Sequence, residues 1–174
     1  MIDLLHILES KGFAKTDKSD YTEKEYNVYD LKGAFFNSIC SVKIIPLTSD
    51  KTIVGLIGIS FPEEKTFKEL KFEYDELKSA LREKYSIYSC VERFDREYID
   101  VSSSDFLKLQ ALSRNEATFQ TKFYISEDPL SVLFGQVSLS INAITVDYST
   151  SYYVSIVYST PDSIYEQLKK SDDL

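Results

Sequence analysis

The sequence is poor in the residues on which familiar catalytic and metal sites depend. Its 174 residues include one histidine, two cysteines, five glycines and no tryptophan. Cys40 and Cys90 lie far apart, without a Cys-x-x-Cys pair or a neighbouring histidine, so no zinc-type ligand set is present. A glycine-rich phosphate-binding loop is also missing. We therefore expect no catalytic residues, no metal and no cofactor of a recognisable type.

Long apolar runs are missing as well. The longest apolar stretch without a charge, residues 52–62, has the length of a strand and is well short of the roughly 18 apolar residues of a membrane-spanning helix. Residues 1–13 lack the basic start and long apolar region of a signal peptide. We expect no membrane span and a cytoplasmic location. An exported protein whose leader has been removed is the alternative.

Positive charge is in deficit. The chain has 20 lysines and arginines against 28 aspartates and glutamates, a net charge of −8, and the acids are spread along it. Nucleic-acid binding draws its affinity from clustered basic residues that displace counterions. We therefore expect no nucleic acid partner, whereas a protein or peptide partner is compatible with this composition. The sequence leaves the oligomeric state open.

What the chain does contain is typical of a folded globular protein. Apolar residues make up 43% and charged residues 28% of it, and this length can bury a core without disulfides or metals. Tyrosine and phenylalanine supply all of the aromatic content, and both residue types favour strands. We predict a single domain over residues 1–174.

Periodicity places helices between groups of strands. Spacings of three and four predict helices at residues 3–11, 66–85, 106–112 and 160–170, whereas alternation predicts strands at 26–33, 39–45, 53–61, 88–94, 117–125, 136–143 and 152–158. Neighbouring strands joined by short turns indicate antiparallel pairing. The predicted class is α+β: an antiparallel sheet of about six to seven strands, with helices packed mainly on one face.

Two helix ends carry strong local signals. Thr66 and Glu69 form the S/T-x-x-E pattern of a capping box, which opens the long central helix. Gly12 follows the first helix where a left-handed C-cap residue is expected, and Phe13 stands where a Schellman motif prefers an apolar contact. Residues 14–25 are polar and predict a loop. Gly33 predicts a turn or bulge.

Several segments resemble an uncharacterised family of small α+β proteins from gut bacteria. The resemblance is carried by the motif Ser10-Lys11-Gly12-Phe13, by Leu31-Lys32-Gly33-Ala34-Phe35, by the apolar spacing of the central helix, and by residues 136–141 and 153–158. The shared residues in each of these segments are typical of packing, and none of the segments is a motif of a functional site. The resemblance implies an α+β fold, export leaders in some relatives, and no known activity.

The residues alone do not decide whether the two cysteines are free thiols or form a disulfide. Cys40 and Cys90 both lie in strand-like segments. In a reducing compartment they are buried apolar residues, whereas in an exported protein they could pair across a sheet. The family resemblance implies that relatives carry cysteine at both positions, which puts the disulfide level with the free thiols.

The side chains that could perform chemistry lack the partners they would need. His6 lies in an apolar turn without a nucleophile or an orienting acid nearby in sequence. Ser102, Ser103 and Ser104 lack the glycines of a nucleophile elbow. Pairs such as Glu69 and Glu73 lie in polar surroundings, where a raised carboxyl pKa is not expected. These features favour a solvated surface over a catalytic one.

A binding surface is the preferred functional hypothesis. Alternation in the last two strands predicts one exposed set of polar and aromatic residues, and tyrosine is favoured at interfaces. The candidate binding residues are Gln136, Ser138, Ser140, Asn142, Tyr153 and Ser155. The alternative is an enzyme of unrecognised type that uses carboxylates and tyrosines in a cleft between helix and sheet. Self-association through an edge strand is a third hypothesis.

Overall fold

The chain folds around one antiparallel sheet of eight strands. The structure, a computed structural model, describes residues 2–16, 28–36, 38–47, 50, 52–97, 99–100, 102–125 and 135–161. The strands are β1 (Ala14–Lys15), β2 (Tyr29–Phe35), β3 (Ser38–Pro46), β4 (Val54–Ser60), β5 (Ile87–Phe94), β6 (Ala117–Tyr124), β7 (Gln136–Val146) and β8 (Ser149–Ser159). The helices are α1 (Ile2–Ser10), α2 (Phe67–Arg82) and α3 (Asp105–Ser113).

The sheet joins two meanders at its centre. The strand order is β1-β2-β3-β4-β8-β7-β6-β5, so β4 pairs with β8, although about a hundred residues separate them in sequence. Each half begins with a helix, α1 before β1 and α2 before β5. The mixed α+β class and the antiparallel pairing predicted from the sequence are confirmed.

One hydrophobic core connects all three helices to one face of the sheet. α1 contributes Leu5, α3 contributes Leu112, and the apolar stripe of α2 is buried. That stripe consists of Phe67, Leu70, Tyr74, Leu77 and Leu81. The hydroxyl group of Tyr74 is hydrogen-bonded to that of Thr121 on β6, with the oxygens 2.6 Å apart. This bond satisfies two buried polar groups where α2 crosses the sheet.

Local sequence determines both predicted helix ends. The backbone N–H of Glu69 donates to the hydroxyl of Thr66, and the carboxylate of Glu69 accepts from the backbone N–H of Thr66, which confirms the capping box. At the end of α1, Gly12 has φ +88°, and the N–H of Phe13 donates to the carbonyl of Leu8 at 3.0 Å. This is the bond of a Schellman motif.

Three sequence predictions need correction, and a fourth is not tested. The sheet has eight strands instead of six to seven, because Ala14 and Lys15, expected in a loop, pair with β2. Gly33 lies inside β2 instead of at a turn, and the ring of Phe13 occupies the space that a Cβ would need. β7 and β8 are longer than predicted and meet at Asp147 and Tyr148. The predicted helix at 160–170 falls almost wholly outside the described residues.

No helix in the described part of the chain is long and apolar enough to cross a membrane.

Candidate functional site

The six candidate binding residues lie on one face of two neighbouring strands. Gln136, Ser138, Ser140 and Asn142 alternate along β7 with residues of the buried core, and the register sets Ser140 opposite Ser155 and Asn142 opposite Tyr153. Residues directly opposite each other share a sheet face. We call this face, which lies opposite the helices, the serine face. Within the described chain, the core cluster contains no residue of it.

A row of hydroxyl groups crosses the middle of the serine face. Ser41 pairs with Ser60, Ser60 with Ser155, and Ser155 with Ser140, which places four serines side by side on β3, β4, β8 and β7. Gln120 on β6 continues the row next to Ser140. Ser41, Ser60 and Gln120 were not among the sequence candidates, because only the pairing of distant strands aligns them. The four serines form a strip of short polar side chains across the sheet.

Side-chain hydrogen bonds organise the centre of this row. The amide of Asn142 donates to the hydroxyl of Ser155 at 2.9 Å and to the backbone carbonyl of Ser140 at 3.2 Å. Ser155 is only 8% exposed, so the prediction that this residue is exposed is wrong. Asn142 and Ser140 stay half-buried, and Tyr153 lies beside them. Partial burial raises the pKa of Tyr153, so its hydroxyl remains protonated at neutral pH.

The two cysteines are free and far apart. Cys40 lies on β3 and Cys90 on β5, with four strands between them. At about 4.8 Å per strand, the separation is roughly 20 Å or more, whereas a disulfide needs Cα atoms within about 7 Å. The disulfide considered from the sequence is therefore excluded within this fold. Cys40 is buried, which raises the pKa of its thiol, and Cys90 is exposed.

We expect the two thiols to differ in reactivity. Titration of the native protein with a chromogenic disulfide reagent should consume Cys90 promptly, because this residue is exposed, and should reach Cys40 only when denaturant is added. The C90A variant serves as the control and should show no prompt reaction. Prompt reaction of both thiols in the native protein would contradict the burial of Cys40.

Two lysines of α2 contact the edge strand β5. The ammonium group of Lys78 forms an ion pair with Glu92 on β5 and donates to the sulfur of Cys90 at 3.1 Å. Lys71 is bound to the same carboxylate at 3.3 Å. These ion pairs are only partly exposed, and they connect α2 to the edge strand β5.

The other half of the α2 surface borders an open groove. The groove has a volume of about 850 Å³ and lies between α2, the β2–β3 turn, the end of β4 and the start of α3. Its apolar lining residues are Phe36, Phe61, Phe72, Leu77 and Ala80, and its acidic ones are Glu64, Glu69, Glu73, Glu76 and Asp105. Phe72 and Phe36 are 68% and 46% exposed, which is unusual for such large apolar side chains.

Glu73 is the unusual member of this groove. Its Oε2 atom is buried and has no hydrogen-bond partner among the described residues. Desolvation, reinforced by the charge of Glu64, raises the pKa of Glu73 to about 7. Desolvation and the charge of Glu69 also raise the pKa of Glu64. The expectation that the pKa of Glu73 is not raised is therefore wrong, because burial in the fold removes water from its carboxyl group.

The contacts that the structure describes for the remaining sequence candidates are local. His6 is exposed, and its Nδ1 atom lies 3.6 Å from a carboxylate oxygen of Glu9. The hydroxyls of Ser102 and Ser103 donate to Asp100 within one turn. In the described parts of the chain, no three histidine, cysteine, aspartate or glutamate side chains are grouped to hold a metal ion.

Comparison of the chain with protein-family models, with curated proteins and with solved structures finds no match in any of the three. The family resemblance described from the sequence therefore stays a prediction.

Proposed function

We propose that this protein is a non-catalytic binding domain that takes a protein or peptide partner on the serine face. The observation that carries the proposal is the hydroxyl row from Ser41 to Ser140, centred on the bonded group of Asn142 and Ser155. Short side chains let a second backbone or a flat surface approach closely, and hydroxyl groups both donate and accept hydrogen bonds. Tyr153 supplies a stiff contact of the kind that interfaces favour.

The hydrogen bonds that fix the central side chains support a binding role for the serine face. The hydrogen bonds from Asn142 hold its amide and the hydroxyl of Ser155 in place before a partner arrives. Binding then loses less side-chain entropy than it would with free rotamers. The half-buried residues around this pair, among them Ser138 and Ser140, keep part of their surface available for contact.

Site-specific crosslinking tests the proposal. A benzoylphenylalanine residue in place of Tyr153 should capture a partner in lysate of the producing cell, and the variant S138R should abolish that product because arginine obstructs the strip of small residues. The matched control is S79R, on the exposed surface of α2, which should leave the product unchanged. Absence of a product above background, or a product insensitive to S138R, would contradict the proposal.

One observation favours the alternative, an enzyme that works in a cleft between helix and sheet. The pKa of Glu73, raised to about 7 by desolvation, is suitable for general acid or base catalysis near neutral pH. The described lining of the groove, however, includes no tyrosine, histidine or cysteine to act with it. A binding role therefore explains more of the structure than a catalytic one does.

A further inference from the structure

The groove beside α2 carries a negative charge that the described chain does not balance. Five carboxylates line it against one lysine, Lys68. None of the five forms an ion pair with any lysine, arginine or histidine that the structure describes. By contrast, Asp75 and Glu92, on the other side of α2, are both paired with lysine. Among the charged residues that line the groove, acids therefore outnumber bases five to one.

The five carboxylates are not equivalent. The carboxylate of Glu69 is occupied by the helix cap, where it accepts hydrogen bonds from the backbone and hydroxyl of Thr66 at 3.1 and 2.7 Å. Glu73 lies one helical turn further along the same side, and its buried Oε2 atom accepts no bond from a described residue. A buried acceptor without a donor costs free energy. A donor brought by a ligand would remove that cost.

The rest of the lining is suited to an apolar group. Phe61 packs against Phe35 with ring centroids 6.4 Å apart, and the exposed Phe36 meets Phe35 edge to face at 4.7 Å. Phe36 and Phe61 line the groove together with the exposed ring of Phe72 on α2, so the groove presents aromatic surface beside its acids. Aromatic faces attract cations, and their surface favours contact with hydrocarbon over contact with water.

We propose that this groove binds a small organic cation: a primary amine, attached to an apolar body, that donates to Glu73 while the apolar body lies between Phe36 and Phe72. Charge complementarity selects the cation, and the exposed rings select the hydrocarbon part. The volume of about 850 Å³ lies within the range of small-molecule sites, which favours a small ligand over an extended chain. This site is separate from the serine face and does not depend on it.

A matched pair of probes tests the proposal. Phenylbutylamine and phenylbutanol share the same hydrocarbon body and differ in the charged donor. In titrations of the full chain followed by amide NMR, we expect phenylbutylamine to shift the signals of Phe36, Phe72 and Glu73, and to bind at least about tenfold more tightly than phenylbutanol, as expected of a hydrogen bond to a charged group. Signals of Ser138 and Ser140 should not move.

Two variants show whether the named residues carry the binding. E73Q keeps the shape of the side chain and removes its charge, so it should weaken phenylbutylamine binding about tenfold while leaving phenylbutanol unchanged. F72A removes an exposed ring and should weaken both probes. The matched control E83Q changes an exposed acid that ends α2 outside the groove and should have no effect on either.

Several results would overturn the proposal. Equal affinity for the amine and the alcohol would show that charge plays no part, and unchanged amine binding by E73Q would remove Glu73 from the site. Absence of binding by both probes at millimolar concentration would exclude a small-cation site. Binding of a lysine-rich peptide without any shift from phenylbutylamine would assign the groove to a protein partner instead.

Discussion

Replacement of Phe123 by alanine is expected to lower the free energy of unfolding by about 3–5 kcal/mol, the range measured for large-to-small changes of buried aromatic residues. Phe123 on β6 is 0% exposed and lies opposite Val137 of β7 in the sheet register. The change removes apolar contacts and leaves a cavity beneath the helices that the close-packed surroundings cannot fill. Chemical denaturation followed by circular dichroism measures the loss.

The matched control is F106A. Phe106 on α3 is 70% exposed, so its truncation should alter the free energy of unfolding by no more than about 0.5 kcal/mol. For a chain of this size, the loss expected for F123A corresponds to a fall in melting temperature of roughly 6–20 °C. A loss of similar size in both variants would contradict the assignment of the core to the helix-covered face.

The E73Q variant is expected to be more stable than the parent protein above pH 7, and equally stable near pH 4. Desolvation raises the pKa of Glu73 from 4.5 to about 7 in the folded protein. Between these values, the folded state holds a proton that the unfolded state has released, so the parent loses stability as pH rises through this window. Glutamine has no charge to desolvate and should not show that loss.

We expect a difference of about 1–3 kcal/mol at pH 8, because water in the open groove screens part of the penalty. Urea unfolding of both proteins at several pH values measures it, and the side-chain carboxyl signal of Glu73 in NMR reports its titration directly. The control E76Q removes an exposed carboxylate from the same groove. A constant difference between E73Q and the parent at all pH values would contradict the raised pKa.

The elements with strong local signals were predictable. The capping box at Thr66 and the glycine cap at Gly12 act within a few residues of sequence, and the buried stripe of α2 repeats with the period of a helix. β1 was not predictable, because a strand of two residues has no periodicity of its own and exists only through its pairing with β2. The tight turn between β7 and β8 was not predicted inside the expected connection, since Asp147 and Tyr148 both have positive φ, which glycine or asparagine usually signals.

The candidate surface was predictable only in part. Alternation along β7 and β8 placed Ser140, Asn142 and Tyr153 on one face, as the register shows. Alternation cannot show which strands lie side by side, so Ser41 and Ser60 were not predicted to belong to the same surface. The exposure of Ser155 was predicted wrongly, because a hydrogen bond from Asn142 on the next strand covers it.

By itself, the sequence determined the α+β class, the position of the long helix and the alternation of its strands, since these follow from capping and periodicity over short distances along the chain. Only the tertiary structure decided which strands are neighbours, and with that the separation of Cys40 from Cys90 and the serine row. It also decided that the carboxyl group of Glu73 is partly buried in a groove that residues from other elements, among them Phe36 and Phe61, help to line. A carboxyl pKa depends on what surrounds the group in space, and neighbours in sequence do not show those surroundings.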